Sequence, residues 1–147
     1  MLLEKNTYRY IEKILYKQND LEYAINDARA EQLANKGNKS GGGGRSFISD
    51  PTAMKAIKMA TPLKSVYVQG LGDVDRPEEL RNILEKAYAN EREWRRQLLR
   101  KRYRMGKSIQ SLSIDYDRSE KTVYNICSAF VVDVGMRLAS KDFIDYG

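Results

Sequence analysis

Between Glu78 and Met105 the chain contains neither glycine nor proline, and its apolar residues recur at helical spacing. Leu80, Ile83, Leu84, Ala87, Trp94 and Leu98 fall on one stripe, interrupted by the polar Glu91. A stretch without breakers and with a 3.6-residue period is a helix. Asp75-Arg76-Pro77 opens it, because proline at a first helical position gives up an N–H that has no partner there. Gly106 closes it as a left-handed C-terminal residue. The reading is one helix of about 25 residues, and an all-α fold around it.

The flanking segments are also helical in pattern. Tyr8, Ile11 and Leu15 lie at i, i+3 and i+7; Leu21, Ala24, Ile25 and Ala28 repeat the stripe after a break or cap at Asn19-Asp20. Residues 35 to 46 are loop by composition, with four consecutive glycines from Gly41 to Gly44. No strand followed by Gly-Lys-Ser/Thr at fixed spacing accompanies them, so a linker is favoured over a phosphate cradle. Helix resumes at Ser49-Asp50-Pro51-Thr52, with Met54, Ile57 and Ala60 as its apolar face, and stops at Thr61-Pro62. From Leu63 to Gln69, Val66 and Val68 alternate as in a strand, while Leu63, Val66 and Tyr67 also fit a helix face; Gly70-Leu71-Gly72 is a second break. The organisation is an N-terminal helical segment (1–34), a Gly-rich loop (35–49), a short helix and connector (50–72) and a C-terminal domain (73–147).

Composition excludes several chemistries. There is no His and one Cys among 147 residues. A Ser–His–Asp triad, a Cys–His dyad, a His metal ligand, a four-Cys zinc site and an internal disulfide are all ruled out. The lone Cys fits a reducing cytoplasm. The N-terminus lacks a basic region followed by an apolar stretch, so it is not a signal peptide. The longest run of aliphatic and aromatic residues, Ala129 to Val132, is far short of the roughly 20 residues of a membrane span. Carboxylate pairs at Asp73/Asp75, Asp115/Asp117 and Asp142/Asp145 sit at breaks or near the end of the sequence and read as caps and turns, not as a metal or catalytic site. Neither an enzyme nor a cofactor is expected. Cys127 reads as a small buried hydrophobe, Tyr8, Tyr67 and Tyr103 as packing residues, and Trp94 as a core anchor.

The informative stretch follows Gly106. Ser108 can cap a short helix whose inward residues, Ile109, Leu112, Ser113 and Tyr116, lie at i, i+3, i+4 and i+7. Asp115 to Arg118 makes a turn, with Asp117 at the position that needs a positive φ. Ser119 is a strong N-cap for the next helix, and Glu120 is well placed in its first turn. That helix buries Val123, Ile126, Cys127, Phe130 and Val134 and turns Glu120, Lys121, Tyr124, Asn125 and Ser128 outward. A short helix, a tight turn and a second helix with one polar face is the helix-turn-helix plan. Asn125 suits adenine and Lys121 suits guanine or phosphate; Ser119, Thr122 and Tyr124 suit phosphate or a thymine methyl. Lys107, Ser108 and Arg118 flank this face.

Charge points the same way. The chain carries 26 Lys and Arg against 20 Asp and Glu, a net +6. Residues 92 to 107 alone hold eight cations and one carboxylate, a net +7 in sixteen residues. Arg96, Arg100, Lys101, Arg102 and Arg104 are therefore candidate phosphate contacts, because counterion release rewards such a cluster beside a duplex.

Leu99-Arg100, Tyr103, Gly106, Ser108, Ile109, Leu112-Ser113, Tyr116, Ser119 and Thr122-Val123 resemble the C-terminal promoter-reading region (region 4) of sigma factors. The whole chain resembles the small phage transcriptional regulators of the RinA and ArpU type, with Tyr8-Arg9-Tyr10-Ile11-Glu12 near the start, a Gly-rich loop, a Ser-Asp-Pro-Thr-Ala segment at Ser49 to Ala53, and a sigma-like helix-turn-helix. The resemblance implies activation of late phage genes through promoter DNA and host RNA polymerase. Homo-oligomerisation stays open. Three positions depart from the pattern: Asp117 stands where glycine is usual, Arg118 where the residue is normally apolar, and Glu120 puts a carboxylate on the presumed reading face. Two rivals are weighed against this reading: a small packaging-terminase subunit, and a polymerase adaptor that does not bind DNA.

Overall fold

The computed structural model of the chain describes residues 4–38 and 61–144. The Gly41–Gly44 run, the helix start at Ser49 to Thr52 with its face Met54, Ile57 and Ala60, and Asp145 lie outside the described residues. Six helices and one two-stranded sheet are found among the described residues: α1 (Lys5–Tyr16), α2 (Gln18–Asn38), β1 (Ser65–Val68), β2 (Gly72–Asp75), α3 (Pro77–Ala89), α4 (Glu93–Tyr103), α5 (Ile109–Tyr116) and α6 (Glu120–Ser140). They belong to two compact units, one formed by Met1–Asn19 with Glu79–Gly147, the other by Asp20–Glu78.

The described residues are mostly helical, as expected, and the second unit adds one small two-stranded sheet. Residues 65–68 form a strand, pairing antiparallel with β2 in the register Val66↔Val74 and Val68↔Gly72. The alternation of Val66 and Val68 wins over the helical alternative because both valines face inward while Tyr67 between them stays 69% exposed. Tyr67 is therefore a surface residue and not the packing residue expected from its spacing. Gly70 and Gly72 adopt φ of 92° and 81°, which the tight reversal requires. Arg29 grips the Glu78 carboxylate through Nε at 3.0 Å and Nη2 at 2.8 Å, and the Leu63 N–H donates to the same carboxylate at 3.0 Å. α2 continues to Asn38, into the segment expected to be loop from residue 35.

The first unit holds the C-terminal helices and α1. Ile11, Ile14 and Leu15 of α1, Leu98, Leu99 and Tyr103 of α4, Leu112 of α5, and Val123, Phe130, Val131, Val134 and Leu138 of α6 are buried. Rings run through this interior: Tyr16 lies 5.1 Å from Tyr103, Tyr103 lies 6.3 Å from Phe130, and Phe130 lies 4.8 Å from Tyr88 of α3. One aromatic chain thus joins α1, α4, α6 and α3 at centroid spacings where edge and offset contacts are favourable.

Two helix boundaries differ from the sequence reading. The break between α1 and α2 falls at Lys17, not at Asn19-Asp20. The buried amide of Gln18 causes this: its Nε2 donates to Leu15 O at 2.9 Å and to the Tyr88 hydroxyl at 2.6 Å, and its Oε1 accepts from Arg104 Nε at 3.1 Å. Asn19 is not a cap either, since its Nδ2 donates to Arg104 O at 3.0 Å.

The single long helix expected from Glu78 to Met105 is two helices. α3 ends at Ala89, and Arg92 takes an extended conformation (φ −63°, ψ 154°) ahead of α4. Arg96 stabilises the break from the far side, donating from Nε to Tyr88 O at 3.2 Å and from Nη2 to Glu91 O at 3.0 Å. A guanidinium can thus satisfy carbonyls that a continuing helix would have paired. The polar Glu91 that interrupted the apolar stripe marks the place.

Candidate nucleic-acid interface

The backbone conformations read for Gly106, Ser108, Asp117 and Ser119 hold. Gly106 takes φ 72°, ending the turn after α4. Ser108 caps α5, its hydroxyl accepting from Ser111 N at 3.0 Å. α5 turns Leu112 fully inward, with Ile109, Ser113 and Tyr116 half-buried. Asp117 then adopts φ 52° and ψ 49°, the left-handed conformation that allows the chain to reverse without glycine. Ser113 locks the turn from both sides: its carbonyl accepts from Arg118 N at 3.1 Å, and its hydroxyl donates to Arg118 O at 2.6 Å. The small side chain expected there for close packing also supplies a hydrogen bond.

Ser119 caps α6. Its hydroxyl accepts from Thr122 N at 3.1 Å and donates to Thr122 Oγ1 at 2.9 Å. With this end fixed, α6 buries Val123, Ile126 and Cys127 on one side. Glu120, Lys121, Thr122, Tyr124 and Asn125 are exposed on the first two turns. Ser128 is different: it is half-buried, and its hydroxyl accepts from Tyr8 of α1 at 3.2 Å. The exposed polar face therefore ends before Ser128, where α1 packs on α6.

Buried titratable groups on this helix bundle keep their neutral forms. Burial pushes the Cys127 thiol from an ordinary 9.0 up to about 11, and burial also raises the tyrosines Tyr88 and Tyr103. A thiol so placed is a poor nucleophile, and Cys127 packs as the small hydrophobe expected.

The basic cluster divides into two groups. Arg96, Arg102 and Arg104, proposed from charge alone as phosphate contacts, are engaged within the fold. Arg96 closes the α3–α4 break, Arg104 binds Gln18 and Asn19, and Arg102 donates from Nη1 to Lys107 O at 3.0 Å while its guanidinium also lies over the Tyr16 ring at 5.7 Å. The side chains of Arg100, Lys101 and Arg118 lie instead against aromatic faces: Arg100 over Tyr88 at 5.4 Å, Lys101 over Tyr116 at 5.0 Å, and Arg118 over Trp94 at 4.6 Å. Arg95 shares the Trp94 ring at 5.4 Å. Lys107 is half-buried at the start of the link into α5. Trp94 is consequently half-buried and not the core anchor expected from its place on the stripe; the break after α3 removes it from that stripe. The pairing of Trp94 with Arg118 was not read from the sequence, although the arginine at a normally apolar position was its signal.

Among the described residues no three Cys, Asp or Glu side chains gather into a cation site, and no helix is long and apolar enough to cross a membrane. Asp117 and Asp142 instead take left-handed backbone conformations, with φ of 52° and 61°. No protein-family model, curated protein or solved structure matches the chain.

Proposed function

We propose that the chain is a non-enzymatic protein that binds double-stranded DNA sequence-specifically and regulates transcription, as an activator of phage or prophage late genes working beside host RNA polymerase in the bacterial cytoplasm. The observation that carries this reading is the first two turns of α6: capped at Ser119, buried on one side by Val123, Ile126 and Cys127, and exposed on the other through Glu120, Lys121, Tyr124 and Asn125. A helix with an accessible N-terminal half and a fixed supporting helix behind it suits a major groove. The resemblance to the sigma-factor promoter-reading region and to RinA- and ArpU-type regulators supplies the transcriptional role.

The roles divide by chemistry. Asn125 takes adenine N6 and N7, Lys121 takes guanine or phosphate, and Glu120 accepts from cytosine N4. Thr122 and Tyr124 contact backbone or a thymine methyl. Arg95, Arg100, Lys101, Lys107 and Arg118 supply phosphate contacts that set register and carry no sequence information. Five such contacts give log K a slope of about −4.5 against log salt. Affinity should therefore fall roughly 500-fold between about 50 and about 200 mM salt. The test is fluorescence anisotropy of a labelled mixed-sequence duplex across that range. Binding with a steep salt slope is expected. Absence of binding at the low-salt end would overturn the reading and favour the polymerase adaptor.

A further inference from the structure

We infer that Trp94 is a positioning residue of this surface: its indole holds the Arg118 guanidinium, at the turn ahead of α6, in place for a backbone phosphate. The inference rests on the duplex-binding reading above and adds to it a residue that touches no base.

Arg118 immediately precedes the N-cap Ser119. A helix N-terminus presents unpaired N–H groups and the positive end of the helix dipole, so a phosphate is favoured there. The Arg118 backbone is fixed by Ser113 at N and at O. Its side chain is exposed, and an exposed arginine otherwise samples many rotamers, a freedom it loses on binding. The Trp94 ring removes that freedom in advance, with the guanidinium carbon 4.6 Å from the ring centroid.

The same ring carries Arg95 at 5.4 Å, so the two guanidinium carbons are at most about 10 Å apart. Tyr116 lies 6.3 Å from Trp94 and carries Lys101 at 5.0 Å. Two adjacent rings thus gather three cations from α4 and the turn. The ion pairs Arg29–Glu78 and Arg137–Asp133 involve none of them. Like charges drawn together on aromatic faces repel one another, and an anion with repeating charge relieves that repulsion. On the duplex-binding reading that anion is a nucleic-acid backbone, whose phosphates repeat along the strand.

The test is a double-mutant cycle of Trp94 and Arg118, read by duplex affinity and salt slope on the labelled mixed-sequence duplex. Arg118→Gln should weaken binding and make the salt slope shallower by about one. Trp94→Ala should weaken binding about two- to fivefold, the worth of one exposed cation–π contact, and Trp94→Phe should recover part of it. In the Arg118→Gln background Trp94→Ala should have a smaller effect than in the wild type, the remainder acting through Arg95 on the same ring. Thermal unfolding of each variant separates a folding defect, and Arg118→Gln changes only an exposed side chain.

Three outcomes overturn the inference in distinguishable ways. Wild-type affinity for Trp94→Ala beside weakened Arg118→Gln refutes the role of Trp94 and leaves duplex binding standing. Additive losses refute the coupling between the two residues. Failure of the wild-type protein itself to bind duplex removes the reading on which the inference depends, and an acidic peptide then becomes the anion to try.

Discussion

The buried amide of Gln18 should govern the stability of the helical unit that presents α6. Gln18 is 3% exposed and Tyr88 is 1% exposed. The amide satisfies Leu15 O, the Tyr88 hydroxyl and Arg104 Nε together. Gln18→Leu keeps the volume and removes all three bonds. Arg104 retains Asn19 Oδ1 at 3.3 Å, so the main casualty is the Tyr88 hydroxyl, left buried without its 2.6 Å partner. An orphaned buried group costs about 1–3 kcal/mol. We expect a loss of about 2 kcal/mol, or a melting temperature lower by roughly 4–8 °C for a chain of this length. Replacing both partners with apolar groups is nearly neutral. Adding Tyr88→Phe to Gln18→Leu should therefore recover about half the loss, so the coupling is about 1 kcal/mol plus whatever Tyr88→Phe costs alone. Urea unfolding measures this through the midpoint, with the slope m unchanged. If Gln18→Leu is neutral, or the double variant is no more stable than the single, the network is not what holds α1, α3 and α4 together.

Further expectations concern the turn, the cap and alkaline pH. Asp117→Ala should lower stability by about 1 kcal/mol and Asp117→Gly should not, because only the alanine resists φ 52°; equal urea midpoints for the two would refute this. Ser119→Ala should cost about 1 kcal/mol through the lost bond to Thr122 N, again read from urea midpoints. Cys127, Tyr88 and Tyr103 hold their protons more tightly when folded, so above pH 9.0 the unfolded chain binds fewer protons and stability falls as pH rises. The Cys127 contribution is complete below 9.0 and is lost as pH passes about 11. Unfolding midpoints across that window should decline, and Cys127→Ala should decline less steeply.

What was legible in the sequence was local. Gly106, Ser108, Asp117 and Ser119 each announce a backbone conformation through their own chemistry, and each adopts it. Val123, Ile126, Cys127, Phe130 and Val134 follow from periodicity because α6 has a single packed side over its first turns. Contacts between distant residues were not legible. The α1–α2 break sits at Lys17 because Gln18 finds Tyr88 and Arg104, seventy and eighty-six positions away. Charge counting could locate the basic stretch but not sort it: Arg96 and Arg104 serve backbone carbonyls and amide side chains, Arg102 serves a carbonyl and the Tyr16 ring, and Arg95, Arg100 and Lys101 lie on rings. The strand at 65–68 was ambiguous because Val66 fits both the alternation with Val68 and the helical stripe with Leu63 and Tyr67, and pairing with β2 decides between them.

Duplex recognition by α6 is tested most directly by selection from a random duplex library at near-physiological salt, run in parallel for the wild-type protein and for Lys121→Ala with Asn125→Ala. The wild-type protein should enrich a defined motif, and the double variant should lose or relax it while keeping salt-sensitive affinity for unrelated duplex. No enriched motif from the wild-type protein, or the same motif at the same strength from both, would contradict α6 as the reading helix.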